Sequence, residues 1–319
     1  MDYTFQPDIN IIDFNALAVM PLWDACITIG NFDGVHLGHQ AIITRMVREA
    51  QAQNRPVLVV TFFPNPFVYF NHQEQPYYLS TPGEKERLLL SLGVERVITL
   101  RFNREFANLT AEAFLAELKQ KLGLGVLVVG EDFALGKGRQ GTIPVLKDIG
   151  REYSFSVEVI ARIETAGQEV SSTLVRHELD AGAVDQVAVL LGRPYQVAGV
   201  VTHGSDRGSK IGLPTANISH WSQKKLPAVG VYATLVHLQD QVYQGITNIG
   251  YRPTFEDQTQ VNVETHVLDF TGNIYGENMV LAFIEKLRDE QKFSGVDSFL
   301  AQIERDKAKA RRIFQDVKT

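Results

Sequence analysis

Cysteine is almost absent: the 319 residues contain one, Cys26. An intrachain disulfide is therefore excluded, and Cys26, set in Ala25-Cys26-Ile27-Thr28-Ile29, reads as a small buried hydrophobe rather than a nucleophile. No apolar run approaches the length needed to cross a bilayer. The opening Met1-Asp2-Tyr3-Thr4 has neither the basic nor the apolar stretch of a signal peptide, so a cytoplasmic protein with no membrane partner is expected. Positive charge is not in excess either: 31 Lys and Arg stand against 37 Asp and Glu, a net −6, which leaves no footprint for nucleic-acid binding. The one basic stretch, Lys307-Ala308-Lys309-Ala310-Arg311-Arg312, is helical in pattern and reads as a solvated helix end.

What is present is ordinary for a folded protein, 45% hydrophobic and 21% charged residues, at a length that favours two domains. From about Ala25 to Val159, β-rich apolar runs (Cys26 to Ile29, Val57 to Phe62, Arg96 to Leu100, Gly125 to Gly130, Ser156 to Val159) alternate with helical ones (His39 to Gln51, Thr81 to Leu92, Thr110 to Leu122). This predicts a doubly wound α/β domain whose ligands sit at the carboxyl ends of parallel strands. Ser171 to Leu191 reads as two short helices broken at Ala181-Gly182-Ala183. Beyond them Val197 to Thr202, Gly230 to His237, Gln241 to Ile249, Val261 to Phe270 and Asn278 to Leu287 read as antiparallel strands of a small barrel or sandwich, closed by a helix over Val296 to Phe314. The expected domains are 1–185 and 186–319.

Gly30-Asn31-Phe32-Asp33-Gly34-Val35-His36-Leu37-Gly38-His39 joins the first strand to the first helix. Backbone N–H groups at a helix start lack internal partners and the macrodipole adds positive charge, so a polyphosphate is attracted there. His36 and His39 are open to three readings: metal ligands, a general acid/base pair, or groups that neutralise phosphate. Spacing by three and the lack of H-E-x-x-H or a Cys-rich partner weigh against zinc. Gly136-Lys137-Gly138-Arg139-Gln140-Gly141 fits G-x-G-x-x-G but does not turn from strand to helix, and Gly204 to Lys210 is too short for a P-loop.

The residue order of the first motif resembles the HxGH nucleotidyltransferases, and its longer form resembles the adenylyltransferase module of bacterial bifunctional riboflavin kinase/FAD synthetases. The resemblance implies transfer of AMP from ATP to the phosphate of FMN, with His36 and His39 catalytic and Gly30, Phe32, Asp33 and Gly34 nucleotide-binding. Gly130-Glu131-Asp132-Phe133-Ala134-Leu135-Gly136 resembles the family's G-x-D/N-F-x-x-G loop, implying nucleotide contact at Asp132 and flavin contact at Phe133. Ser171, Ser172, Thr173 and Arg176 resemble its S-S-T-x-I/V-R, although Ser171 to Thr173 alone read as an ordinary helix cap. Phe62, Pro64 and Asn65 are the implied flavin contacts near the second strand, where the family more often carries histidine in place of Asn65.

In the second domain Pro214-Thr215-Ala216-Asn217 resembles the P-T-A-N signature of riboflavin kinases, implying that Thr215 and Asn217 hold Mg²⁺ and that the preceding Gly204, Gly208 and Gly212 approach ATP. Val263-Glu264-Thr265-His266 resembles the strand bearing the catalytic base, so Glu264 is implied to take a proton from the riboflavin hydroxyl; without the resemblance it reads as a solvent-facing strand residue, and His266 reads as structural. Arg252, Phe255 and Arg288 are the implied flavin contacts. The expectation is an enzyme using riboflavin, FMN, FAD and ATP with Mg²⁺, as a monomer or weak homo-oligomer. An enzyme with one live half and a flavin-binding regulator are the alternatives.

Overall fold

The protein is described from a computed structural model, which covers residues 10–20, 24–161, 164–165, 168–203, 213–252 and 260–316. The boundary between two compact units falls between Ser172 and Thr173.

The first unit is built on β1 (Ile11–Ile12), β2 (Ala25–Ile29), β3 (Val57–Phe63), β4 (Arg96–Arg101), β5 (Leu124–Gly130) and β6 (Ser156–Ile160), a parallel sheet in the order β1-β4-β3-β2-β5-β6. Side chains alternate along β2, so Ala25, Ile27 and Ile29 pack into one face and Cys26 into the other. Helices cover both faces. α1 (Leu37–Gln51) and α3 (Pro82–Ser91) place Ile43, Met46, Val47 and Leu89 against the Cys26 side, while α5 (Ala111–Leu122) and α6 (Ile143–Tyr153) place Phe114, Leu115, Leu118, Leu146 and Ile149 against the other. Burial on both faces explains why these strands read as continuous apolar runs. Short α2 (Pro66–Asn71) and α4 (Arg104–Ala107) follow β3 and β4. Burial, with Glu158 nearby, pushes the Cys26 thiol up to about 12, in keeping with a packing role.

The chain moves from β2 to β3 and β4 on one side and to β5 and β6 on the other, so the direction of winding switches between β2 and β5. Ligand crevices of such sheets lie at this point, outside the carboxyl ends of the strands. The Gly30–Gly34 turn begins there. By contrast, Gly136 to Gly141 form a loop closed by a Leu135–Gly141 bridge, which is no dinucleotide fold.

After a hairpin of β7 (Glu164–Thr165) and β8 (Gln168–Glu169), α7 (Ser172–Ala181) and α8 (Val184–Leu191) lead into the second unit. β9 (Tyr195–Thr202), β10 (Ala216–His220), β11 (Gly230–Leu238), β12 (Gln241–Arg252), β13 (Gln260–Val267) and β14 (Asn278–Arg288) close an antiparallel barrel in the order β10-β13-β12-β11-β14-β9. Of barrel and sandwich, it is the barrel. Its interior carries Tyr232 edge-on to Phe283 and a chain of buried hydroxyls, Thr234 to Thr247 to Thr265, at 2.8 Å each. A last helix, α9 (Val296–Asp316), lays Ala310 and Phe314 on Val231, Ala233, Ile246 and Leu287 of the barrel's outer face.

Candidate functional site

In the first unit the turn after β2 takes a path few residues accept. Phe32, Gly34 and Val35 have φ of 47°, 78° and 41°. A β-branched residue in the left-handed region is strained by about 1–3 kcal/mol. The strain is held by neighbours: Val35 is buried, its N–H donates to Phe32 O, and Gln40 Nε2 donates to Val35 O at 2.8 Å. Asp33 turns inward, 4% exposed, and its carboxylate accepts from the N–H groups of Leu79 and Ser80 and from Ser80 Oγ. Ser80 Oγ in turn accepts from Gly34 N–H at 3.0 Å, and Ser172 Oγ donates to Asp33 O at 3.0 Å. The Asp33 side chain therefore anchors the turn.

His36 is the N-cap of α1, its Nδ1 accepting from His39 N–H at 3.4 Å. The two rings stack at 3.7 Å, and Phe32 meets the edge of His39 at 5.1 Å. A Cβ on Gly38 would come within 3.1 Å of His36 Nδ1, so glycine there makes room for the ring over the helix start. His36 is buried and His39 half-buried. Burial, then His36, then Lys85 hold the His39 pKa well below its ordinary value, and among the described residues its Nδ1 has no hydrogen-bond partner. At neutral pH the ring is uncharged before substrate arrives, because the pocket gives a proton no compensating partner.

The remaining first-unit candidates divide. Asn65 is buried and caps α2, Oδ1 accepting from Phe67 N–H at 2.9 Å, while its own N–H donates to Tyr78 Oη. Pro64 follows a cis bond from Phe63. Phe62 sits half-buried among Phe102 and Phe106, and Phe133 packs on the same core. Asp132 is exposed, its carbonyl accepting from Arg139. Ser171 and Ser172 close the first unit; Thr173, exposed, and Arg176, half-buried, lie on α7 in the second.

The barrel assembles its candidates across strands. Register pairs Asn217 with Glu264, Glu264 with Asn248, Asn248 with Val231, and Val231 with Arg288, one row around the wall. Asn262 Nδ2 donates both to Asn217 Oδ1 at 3.1 Å and to Glu264 Oε1 at 2.9 Å. His266 Nδ1 donates to Pro214 O at 2.9 Å, fixing the segment that carries Thr215; burial lowers its pKa, and the bond to Pro214 O opposes that shift. A cavity of about 230 Å³ opens on this row, lined by Thr215, Asn248, Glu264, His266 and Arg288 from the barrel side and by Phe293, Phe299 and Ile303 from the other. Arg288 is fastened by Nε and Nη2 to Asp306 of α9, itself 3% exposed, and its guanidinium lies 5.7 Å from the Phe293 ring. Gly204, Gly208, Gly212 and Phe255, and the side chain of Arg252, lie outside the described residues.

Oxygen donors from Thr215 and Asn217 beside a carboxylate fit a hard cation carried by phosphates, and no cluster of three His, Cys, Asp or Glu suggests another metal among the described residues. Residues 21–174 match the FAD synthetase family and residues 191–314 the riboflavin kinase family. The bifunctional riboflavin kinase/FMN adenylyltransferase of Escherichia coli strain K12 is 38% identical over 300 residues, spanning 93% of this chain and 95% of that protein. The chain belongs to the bifunctional riboflavin kinase/FMN adenylyltransferase family. A relative of the same name from Bacillus subtilis strain 168 is 34% identical over 91% of this chain and 92% of its own. A crystal structure described as a macrolide-efflux protein from Streptococcus pneumoniae superposes with a TM-score of 0.86 at 32% identity, covering 95% of this chain and 98% of that one. Among the described residues no helix is long and apolar enough to cross a membrane.

Against the family motifs, several residues at these sites were not legible as such. Lys85, Ser80, Asn262, Asp306 and Phe299 belong to no contiguous pattern. Only Lys85 left a signal, a lysine four residues before Leu89 on the inward stripe of α3.

Proposed function

We propose that the barrel unit phosphorylates riboflavin to FMN and the sheet unit adenylylates FMN to FAD, each with ATP. The single observation that carries this reading is the split of chemistry between units: a carboxylate beside amide and hydroxyl oxygens on the barrel wall, and a stacked imidazole pair at the mouth of a helix in the sheet unit.

A 5′-hydroxyl is neutral and must lose its proton. Glu264 accepts it as the hydroxyl oxygen bonds to the γ-phosphorus and the bond to the departing ADP oxygen breaks. Asn262 holds Glu264 and Asn217 in register. Thr215 and Asn217 supply the oxygens for Mg²⁺, which when bound neutralises phosphate charge. The cavity walled by Phe293 and Phe299 suits a flat aromatic ring such as isoalloxazine.

FMN already carries an anionic phosphate, so the second reaction needs no base of that kind. Its phosphate oxygen bonds to the α-phosphorus of ATP as pyrophosphate leaves. The N–H groups at the start of α1 and the imidazoles of His36 and His39 meet the charge that builds there. Polyphosphate beside His39 favours its protonated form, offsetting the burial that keeps it neutral in the free protein.

Charged substrates such as ATP and FMN support a cytoplasmic site of action. Three basic side chains of α9 are engaged internally, Lys307 with Glu304, Lys309 with Leu287 O and Arg311 with Asp269. Purified protein supplied with riboflavin, ATP and Mg²⁺ should yield first FMN and then FAD; recovery of unchanged riboflavin would refute the reading.

A further inference from the structure

α3 turns Pro82, Lys85 and Leu89 inward. Lys85 thus stands where the helical repeat calls for an apolar side chain, and it is 7% exposed. Its Nζ donates to two neutral oxygens, Thr61 Oγ1 at 2.8 Å and Asn31 O at 3.1 Å, and Thr61 Oγ1 also donates to Asn31 O at 3.2 Å. Asn31 belongs to the turn that leaves β2, and Thr61 to neighbouring β3. The ammonium therefore closes a three-way clamp toward the carboxyl edge of the sheet, between the turn that leaves β2 and the adjacent β3. Its charge reaches the imidazoles, being one of the causes that depress His39.

A buried cation held by neutral partners is costly, and a leucine or methionine would fill the same slot without that cost. Burial lowers the Lys85 pKa to about 8 even with Asp33 opposing the shift, which still leaves the ammonium charged at neutral pH. We propose that Lys85 is a positioning residue for adenylyl transfer, tying the Gly30–Gly34 turn to β3 and placing a fixed positive charge beneath the polyphosphate. This rests on the reading that the sheet unit adenylylates FMN. A charge already in place needs no reorganisation as the transition state forms, which is where such groups act most strongly.

The test compares wild type, Lys85→Met, Lys85→Arg and Thr61→Val in the full chain, following FAD formation from FMN and FMN formation from riboflavin in the same preparations. Lys85→Met should lower kcat for FAD formation about ten- to a hundredfold with KM for FMN within about twofold, leave riboflavin phosphorylation at the wild-type rate, and melt no earlier than wild type. Lys85→Arg, which keeps the charge, should recover part of the loss. Thr61→Val, which removes one acceptor and keeps the charge, should lose less than about tenfold. A wild-type kcat in Lys85→Met overturns the proposal, as does a deficit that tracks a lowered melting temperature and disappears on cooling. If Lys85→Met does not fold, Thr61→Val decides: undiminished kcat overturns the clamp and a reduced kcat at unchanged melting supports it. Absence of FAD from wild type would strike the assigned reaction itself, a separate outcome.

Discussion

The two units reach phosphate chemistry by opposite constructions. In the sheet unit one contiguous stretch, Gly30–His39, supplies the turn, the helix start and both imidazoles, and the rest of the unit serves to hold that stretch in a strained path. In the barrel, Asn217, Glu264, Asn248 and Arg288 come from β10, β13, β12 and β14 and are neighbours only because antiparallel register sets them in one row. The first design makes the residues conspicuous and hides their electrostatic state. The second makes the geometry secure, since each member is fixed by strand pairing, and hides the membership. The difference suits the acceptors: an anion calls for neutralising groups gathered at one helix end, whereas a neutral hydroxyl calls for a base.

The sharpest way to break this comparison is a lesion that ignores the boundary. Glu264→Ala should slow FMN formation by about a thousandfold and leave conversion of supplied FMN to FAD unchanged, as read by separating flavins chromatographically. His36→Ala should do the reverse, costing FAD formation about a hundredfold, since both the stacked ring and the cap of α1 go with it. Either variant, folded yet dead in both assays, would mean that the two chemistries are not separate. Asn262→Ala should act on one side only and less severely, about tenfold on riboflavin phosphorylation, with the Mg²⁺ concentration for half-maximal rate rising as Asn217 loses its tether; bound Mg²⁺–ADP measured by calorimetry checks this apart from turnover.

The smallest effect sharpens the electrostatic contrast. His39 has a folded-state pKa depressed below 6.5, so the unfolded chain takes up its proton first as pH falls. Stability is whole above about 6.5 and declines from there down to the folded-state value. His39→Gln, neutral at every pH, should flatten that slope in thermal melts between about pH 6.5 and 5, a change that would not occur if the ring titrated normally.

Much of the fold was legible because period and burial agree. β2, β3 and β5 are enclosed on both faces and so read as apolar runs, and α1, α3 and α5 carry apolar stripes with caps at Thr81 and Thr110. α6 escaped because Pro144 and Gly150 interrupt its sequence, although the proline lies in the first turn, where it costs little. β10 escaped because Pro214–Asn217 reads as loop, yet its pairing with β9 and β13 is what brings Asn217 to Glu264. At the sites, the histidine pair and Glu264 were visible through the family pattern. Asp33 was visible as an acid in the turn, but sequence does not show that two buried N–H groups bond to its carboxylate. Asn65 likewise has a helix to cap before it has a flavin to meet.

The bond between Arg288 and Asp306 gives the last helix a duty out of proportion to its place at the tail of the polypeptide. One side of the pocket is on loan from that helix, through Phe299 and Ile303, and the loan is secured midway along its length. Engineers who shorten the carboxy-terminal tail, or append a bulky fusion there, should see riboflavin grip slacken before the barrel itself melts.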